Sequence, residues 1–394
     1  MTIQSAPANI AFIDLQAQRQ RLGDRIDQAV MGAVNAGQWI MGPQVREFEA
    51  KLAAFSNAPY ALSNANGTEA LVLPLMAWGL TPRHAVFVPS FTFCATAEVV
   101  PWMGATPIFV DVLPDTYNMD PVHLEAAIKM VLAEGKLIPK VIIGVCLFGQ
   151  AANYPALREI ADTYGLKLIA DSAQGFGTTI NGEHPIKWAD AVTTSFFPAK
   201  PLGCYGDGGA TLVTDKELFD IMDSLRVHGK AIASDLEGRT FDHDPKYLNM
   251  RIGMNSRLDT IQAAILLEKL SIFQEEIDLR NKVAARYNSR LSNVAVVPHV
   301  SDGVVSTWAQ YTLQVENRDE LVKFLKEKGV PTAVYYPIPL HKQTAYEKFP
   351  VGPGGLPVTE ALAEKVMSLP MHPYLDEETQ DYIIGAIHSF YGAA

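Results

Sequence analysis

Short, nearly unbroken apolar runs recur along the first half of the chain. They fall at residues 85–89, 108–112, 140–146, 166–171, 191–196 and 209–214, and turn-forming Gly, Pro, Asp or Ser follows each within a few positions. Runs of this length read as strands buried on both faces. Between several of them lie stretches of helical period, such as 121–132. The alternation predicts an α/β fold whose large, mostly parallel mixed sheet is covered by helices on both sides. Upstream, 10–53 reads as helical segments broken at Gly37 and at Gly42-Pro43, with Val45, Phe48, Leu52 and Phe55 at helical spacing. Downstream, helices over 260–270 and 274–291 lead into a second region. There 308–315, 319–328 and 332–336 supply further strands and a helix, and 376–391 a closing helix. The predicted division is a large domain over 1–270 and a smaller C-terminal α+β domain over 271–394. A polar stretch, 230–248, which includes Asp242-His243-Asp244-Pro245, reads as a long loop, either a solvated insertion or a lid over substrate. Residues 352–355 read as a flexible loop. No internal repeat or low-complexity tract interrupts the pattern.

Composition narrows the function classes. At 394 residues, 48% hydrophobic and 19% charged, the chain can bury a sizeable core. A net charge of -11 without a lysine/arginine cluster argues against nucleic acid as a partner. Cys94, Cys146 and Cys204 are few and far apart, which indicates neither a disulfide framework nor a metal site. With no targeting segment and no run near the ~20 apolar residues of a membrane span, the cytoplasm is the expected compartment.

One lysine stands out. Lys200 lies between Pro198 and Pro201, after an apolar strand and before a glycine-rich turn. The two prolines predict a stiff, extended backbone that aims the ammonium. Apolar surroundings from Phe196, Phe197, Leu202 and Tyr205 would lower the lysine's proton affinity and favour attack on a carbonyl to form a Schiff base. Upstream, a buried strand ends in Asp171, and in open α/β sheets the ligand crevice lies at the carboxyl ends of strands, where both residues emerge. A carboxylate there can pair with the protonated ring nitrogen of pyridoxal phosphate (PLP) while the lysine holds its aldehyde. A further strand, polar turn and helix start, Ser63-Asn64-Ala65-Asn66-Gly67-Thr68-Glu69, forms either a plain N-cap or an anion site.

The segments Asp171-Ser172-Ala173-Gln174 and Ser195-Phe196-Phe197-Pro198-Ala199-Lys200-Pro201-Leu202-Gly203-Cys204-Tyr205-Gly206-Asp207-Gly208-Gly209 resemble the sugar aminotransferases of the DegT/DnrJ/EryC1/StrS family. The resemblance runs from Phe12-Ile13-Asp14-Leu15 to Ser368-Leu369-Pro370-Met371-His372-Pro373, essentially the whole chain. It implies the aspartate aminotransferase fold (PLP fold type I), PLP as cofactor with its pyridoxamine form as intermediate, and a homodimer with shared active sites. By the same resemblance Asn66, Gly67, Thr68 and Ser195 hold the cofactor phosphate, and Asn255 reaches the phosphate of the neighbouring subunit. Phe93 stacks on the ring, Gln174 orients its hydroxyl, and Asp171 and Lys200 are the catalytic pair. The stretch Tyr335-Tyr336-Pro337-Ile338-Pro339-Leu340-His341 resembles the family's segment at the substrate mouth, so Tyr335 and His341 are substrate candidates.

L-glutamate is the implied amino donor. The implied acceptor is a keto nucleotide-sugar, best matched by a UDP-linked 3-keto uronate used for surface polysaccharide, with a C4-keto sugar as the alternative. Arg257, two residues after Asn255, is the candidate for the acceptor carboxylate, unless it pairs with Asp259. A sugar dehydratase with an iron–sulfur cluster is disfavoured by the lysine at position 200 and by the scattered cysteines. A regulatory protein that kept the fold is disfavoured by the filled cofactor positions. The glycines after Lys200 lack the spacing of a nicotinamide dinucleotide fingerprint.

Overall fold

The computed structural model describes residues 9–239, 244 and 247–392. Helices α1 (Leu15–Leu22), α2 (Asp24–Ala36) and α3 (Pro43–Phe55) open the chain. Gly37, in the left-handed conformation, ends α2, and Pro43 begins α3, as the sequence predicts. A third break at Gly23, where φ is 55°, divides α1 from α2 without disturbing the apolar period.

The strands β1 (Tyr60–Asn64), β2 (His84–Pro89), β3 (Thr106–Val110), β4 (Ile138–Val145), β5 (Lys167–Asp171), β7 (Ala191–Ser195) and β8 (Gly209–Val213) form a seven-stranded sheet in the order β1-β8-β7-β5-β4-β2-β3. The run from β7 to β3 is parallel; β8 is antiparallel to both of its neighbours. A two-residue strand, β6 (Thr179–Ile180), pairs separately with β9 (Val304–Val305).

Alternate residues of each strand enter different cores, as the two-residue period of a strand requires. Phe87, Ile142, Leu168, Val192 and Leu212 pack with α3, α6 (Pro121–Glu134), α7 (Tyr154–Tyr164) and α10 (Thr260–Leu270). Val86, Val88, Val141, Ile143, Ile169 and Val213 pack on the other face with α4 (Gly67–Ala77), α5 (Ala95–Trp102) and α8 (Lys216–Leu225). Each such side chain, fully buried, contributes about 1.5–3 kcal/mol, so strands covered on both faces make a rigid frame for the loops at their ends. This is the expected α/β architecture.

A separate apolar cluster occupies the C-terminal part. It joins Ile10 to α11 (Phe273–Leu291), β10 (Tyr311–Gln314), α12 (Arg318–Glu327), β11 (Val366–Leu369) and α14 (Glu377–Phe390). Helix α13 (Pro357–Lys365) precedes β11 and was not evident from the sequence.

Two expectations are corrected. The stretch 332–336 is not a strand: only Ala333 forms a bridge, to Ser368, because Tyr335 and Tyr336 turn instead into the aromatic cluster around Phe91 and Phe148. The polar stretch 230–248 is not structureless, since it contains α9 (Ala233–Leu236), which Arg251 grips through Asp235 at 2.6 and 2.8 Å. Asp242, His243 and Pro245 lie outside the described residues. No helix among the described residues is long and apolar enough to cross a membrane.

Candidate active site

Sheet register brings the sequence-distant candidates to one edge. Across β1, β8 and β7, Asn64 pairs with Gly209 and Gly209 with Ser195; Asp171 pairs with Thr193 two residues back along β7. The chain leaves β1 through Ala65 and Asn66 into α4, so the N-terminus of α4 rests on Ser195 and Gly209. The contact is close enough to require glycine. A Cβ on Gly209 would lie 2.4 Å from the Asn66 carbonyl oxygen, and one on Gly67 would lie 2.6 Å from Ser195 Cβ.

Asn66 caps α4 by accepting from the Glu69 N–H at 2.8 Å, while its carbonyl accepts from Ala70. Among the described residues the N–H groups of Gly67 and Thr68 have no acceptor. Two free donors at the positive end of an 11-residue helix suit an anion. Ser195 borders them, with its hydroxyl accepting from the Phe197 N–H at 3.2 Å.

Lys200 sits in a tight turn and not on the extended backbone expected of it. Its N–H donates to the Phe197 carbonyl at 2.8 Å, which places Pro198 at the second position of a β-turn, where its fixed φ is favourable. The loop is closed at its base by Phe196 N–H to Gly208 and Cys204 N–H to Phe196, both at 2.7 Å. Phe196 and Leu202 are buried beneath it, whereas Phe197 and Tyr205 remain exposed. The lysine is half-buried, and loss of solvation holds its proton affinity below the ordinary lysine range against the opposing pull of Asp171.

Asp171 is buried at the end of β5. Burial raises its pKa; the Thr96 hydroxyl, the Ala173 N–H and the charge of Lys200 each oppose that rise. A half-buried amine with lowered proton affinity thus lies in the field of a hydrogen-bonded, buried carboxylate. That setting suits a nucleophilic lysine.

The remaining candidates divide. Phe93, in the loop before α5, is 52% exposed, so a flat ring can cover it. Gln174 is buried, accepting from the Phe148 N–H at 2.9 Å and donating to the Tyr336 hydroxyl at 2.9 Å, which leaves one amide hydrogen for a ligand. Tyr336, overlooked in the sequence in favour of Tyr335, is thereby tied to the loop after β5; Tyr335 is half-buried beside it. His341 has both ring nitrogens engaged, Nδ1 with the Ser90 hydroxyl at 2.7 Å and Nε2 with Glu360 at 3.2 Å. These contacts fasten the 340–342 turn to the end of β2.

Asn255 is exposed and pairs with Val227. Between it and Arg257, Ser256 is pinned by its N–H to the Arg226 carbonyl at 2.9 Å. Arg257 makes no ion pair with Asp259 or any other carboxylate among the described residues, and its Nε is buried without a hydrogen-bond partner.

Residues 20–388 match the model of the DegT/DnrJ/EryC1/StrS aminotransferase family. The chain belongs to this family. It is 46% identical over 96% of its length to a Pseudomonas aeruginosa protein named UDP-2-acetamido-2-deoxy-3-oxo-D-glucuronate aminotransferase, of which it covers 99%. It superposes on the crystal structure of a DegT/DnrJ/EryC1/StrS aminotransferase from Brucella abortus with a TM-score of 0.93 and 50% identity, covering 98% of this chain and 100% of that one. NtdA from Bacillus subtilis, solved with bound cofactor PMP, matches with a TM-score of 0.84 and 26% identity over 98% of this chain and 86% of that one. The protein is therefore a PLP-dependent sugar aminotransferase of fold type I. Its own donor set fits PLP: free helix N–H groups for a phosphate, a buried carboxylate for a ring nitrogen, an exposed aromatic face and a half-buried amine.

Proposed function

We propose that this sugar aminotransferase moves the amino group of L-glutamate to the C3 ketone of UDP-2-acetamido-2-deoxy-3-keto-glucuronate, in the cytoplasm, for lipopolysaccharide O-antigen or another surface polysaccharide. PLP supplies the electron sink that makes the donor's α-proton acidic. Lys200 would hold the cofactor's aldehyde carbon through Nζ and, freed by the donor amine, would take the proton from the donor's α-carbon and deliver it to the cofactor's C4′ carbon, so that the donor can leave as a keto acid. Asp171 keeps the ring nitrogen protonated, Phe93 covers one ring face, and Gln174 offers its remaining amide hydrogen to the ring hydroxyl. Asn66 sets the α4 turn whose Gly67 and Thr68 N–H groups, with Ser195, hold the phosphate. Tyr335 and His341 border the sugar.

A homodimer completes the site in this reading, with Asn255 reaching the phosphate bound by the other subunit. Exposed apolar side chains support a second copy at this face. Trp39, Ile40 and Tyr205 flank the start of α10, where Thr260 N–H meets the Trp39 carbonyl and Gln262 clasps Tyr205, and Ile252 is 92% exposed three residues before Asn255.

The observation that carries the choice of acceptor is Arg257, whose buried Nε has no partner beside the candidate phosphate-binding asparagine. A uronate carboxylate supplies the missing acceptor, and the likeness to a uronate aminotransferase agrees. The test is a panel of 3-keto and 4-keto nucleotide-sugars, with and without a C6 carboxylate, offered with L-glutamate. Product mass and NMR assignment of the aminated carbon are the readouts. Amination at C3 of the uronate supports the proposal; preference for a 4-keto or a neutral sugar rejects it.

A further inference from the structure

We propose that Thr96 is a positioning residue for the cofactor's ring nitrogen, its hydroxyl holding Asp171 in the orientation and ionised form that the ring requires. The inference rests on the reading of Asp171 as the partner of that nitrogen. Thr96 Oγ1 lies 2.8 Å from Asp171 Oδ2, and the Ala173 N–H lies 3.1 Å from Oδ1. Each carboxylate oxygen thus receives one fixed donor. Thr96 supplies the only side-chain hydrogen bond to Asp171 among the described residues.

The direction of every proton follows from the acceptor. An ionised carboxylate has no hydrogen to give, so Thr96 donates to it. Thr96 then has only lone pairs for Thr92 Oγ1, which is 3.2 Å away and must donate in turn. Both threonines are almost fully buried, so water does not compete with this two-step relay. A hydrogen bond to the charged form favours that form, and low polarity around the pair strengthens it.

The other groups facing Asp171 do not perform this task. Lys200 is weakened as a charge by its own burial, and Cys146, Tyr154 and Tyr336 are all pushed by burial toward their neutral forms. Position strengthens the case. Thr96 lies in the first turn of α5 and donates its N–H to the Phe93 carbonyl at 3.3 Å. One hydrogen bond at the start of α5 therefore ties the residue proposed for the ring's face to the residue that steadies the partner of its nitrogen.

The experiment titrates apoenzyme with PLP and with 1-deazapyridoxal phosphate, in which a C–H replaces the ring nitrogen, and follows binding by protein fluorescence. Thr96→Val, nearly isosteric, removes the hydroxyl; Thr96→Ser restores it. Wild type should bind PLP more tightly than the deaza compound. Thr96→Val should weaken PLP binding about tenfold, the loss expected for one charge-assisted hydrogen bond, and leave deaza binding unchanged. Thr96→Ser should bind PLP as wild type does. An equal loss for both compounds, or no loss for either, overturns the role of Thr96. If wild type itself binds both compounds equally, the reading of Asp171 as the nitrogen's partner falls first.

Discussion

Replacing Arg257 with lysine keeps a positive charge and removes the planar pair of donors. Arg257 is well placed for this test because its backbone is held on both sides, by the Ser256 N–H bond to Arg226 and by the fully buried Leu258. Its buried Nε has no partner, and leaving such a donor unpaired costs about 1–3 kcal/mol. A carboxylate that pairs with it removes that cost and adds a charge-assisted bond. Lysine can meet the carboxylate at one point only, so one of two parallel bonds is lost. At about 1.5–3 kcal/mol for a hydrogen bond to a charged group, acceptor kcat/KM should fall roughly 10- to 100-fold. The assay separates the two half-reactions: glutamate with the pyridoxal form, and keto sugar with the pyridoxamine form, each followed by cofactor absorbance in single turnover. The sugar half should carry the loss, and the preference for a uronate over its neutral analogue should shrink. Equal loss in both halves would assign Arg257 to the donor or to the fold. An unchanged preference between acceptors would refute the carboxylate grip.

Two further outcomes follow from the same geometry. Equal mixtures of Lys200→Ala and Asn255→Ala subunits should regain about a quarter of wild-type activity once exchange is complete, because about half of the dimers are then mixed and in each of these one site carries both defects and the other neither; no recovery with exchange verified would place Asn255 in its own subunit's site. Lys269, buried with its ammonium 4.4 Å from the Tyr205 ring centroid, has its pKa lowered to about 8 by burial, against the opposing charge of Glu276. Below that pH it is charged in both states and folding bears the full cost of burying the charge. Between about 8 and the ordinary lysine value near 10.5 the unfolded chain binds more protons, so stability should rise with pH by roughly 3 kcal/mol. Urea unfolding at pH 7.5 and pH 10 checks this, since Lys269→Met should remove that part of the rise, and an unchanged difference between variant and wild type would reject it.

The strands and the lysine were legible because their signals are local. Leu168, Ile169 and Ala170 are apolar in succession since both sheet faces are covered, and the Asp171 that ends the run is polar because the crevice begins there. Lys200 was legible as aimed, but its turn was not. Pro198 fits an extended segment and the second position of a β-turn equally well, and the Phe197 carbonyl decided between them. Tyr335 and Tyr336 have a strand's composition; the Gln174 amide and the Phe91 ring, distant in sequence, draw them elsewhere. The ties of His341 to Ser90 and Glu360 are likewise nonlocal, so the sequence offered no sign that its ring is engaged on both sides. Thr96 was invisible for the same reason. A threonine in the first turn of a helix resembles any capping residue, and only the fold sets it beside an aspartate 75 positions away.

The central claim is that Lys200 is the amine that holds the cofactor. Purified protein reduced with borohydride, digested and mapped by mass should carry the cofactor covalently on Lys200 within the peptide 194–203. Lys200→Ala should bind PLP without covalent fixation and should not turn over. Cofactor fixed to a different lysine, or to none in a protein that still transaminates, would contradict the account.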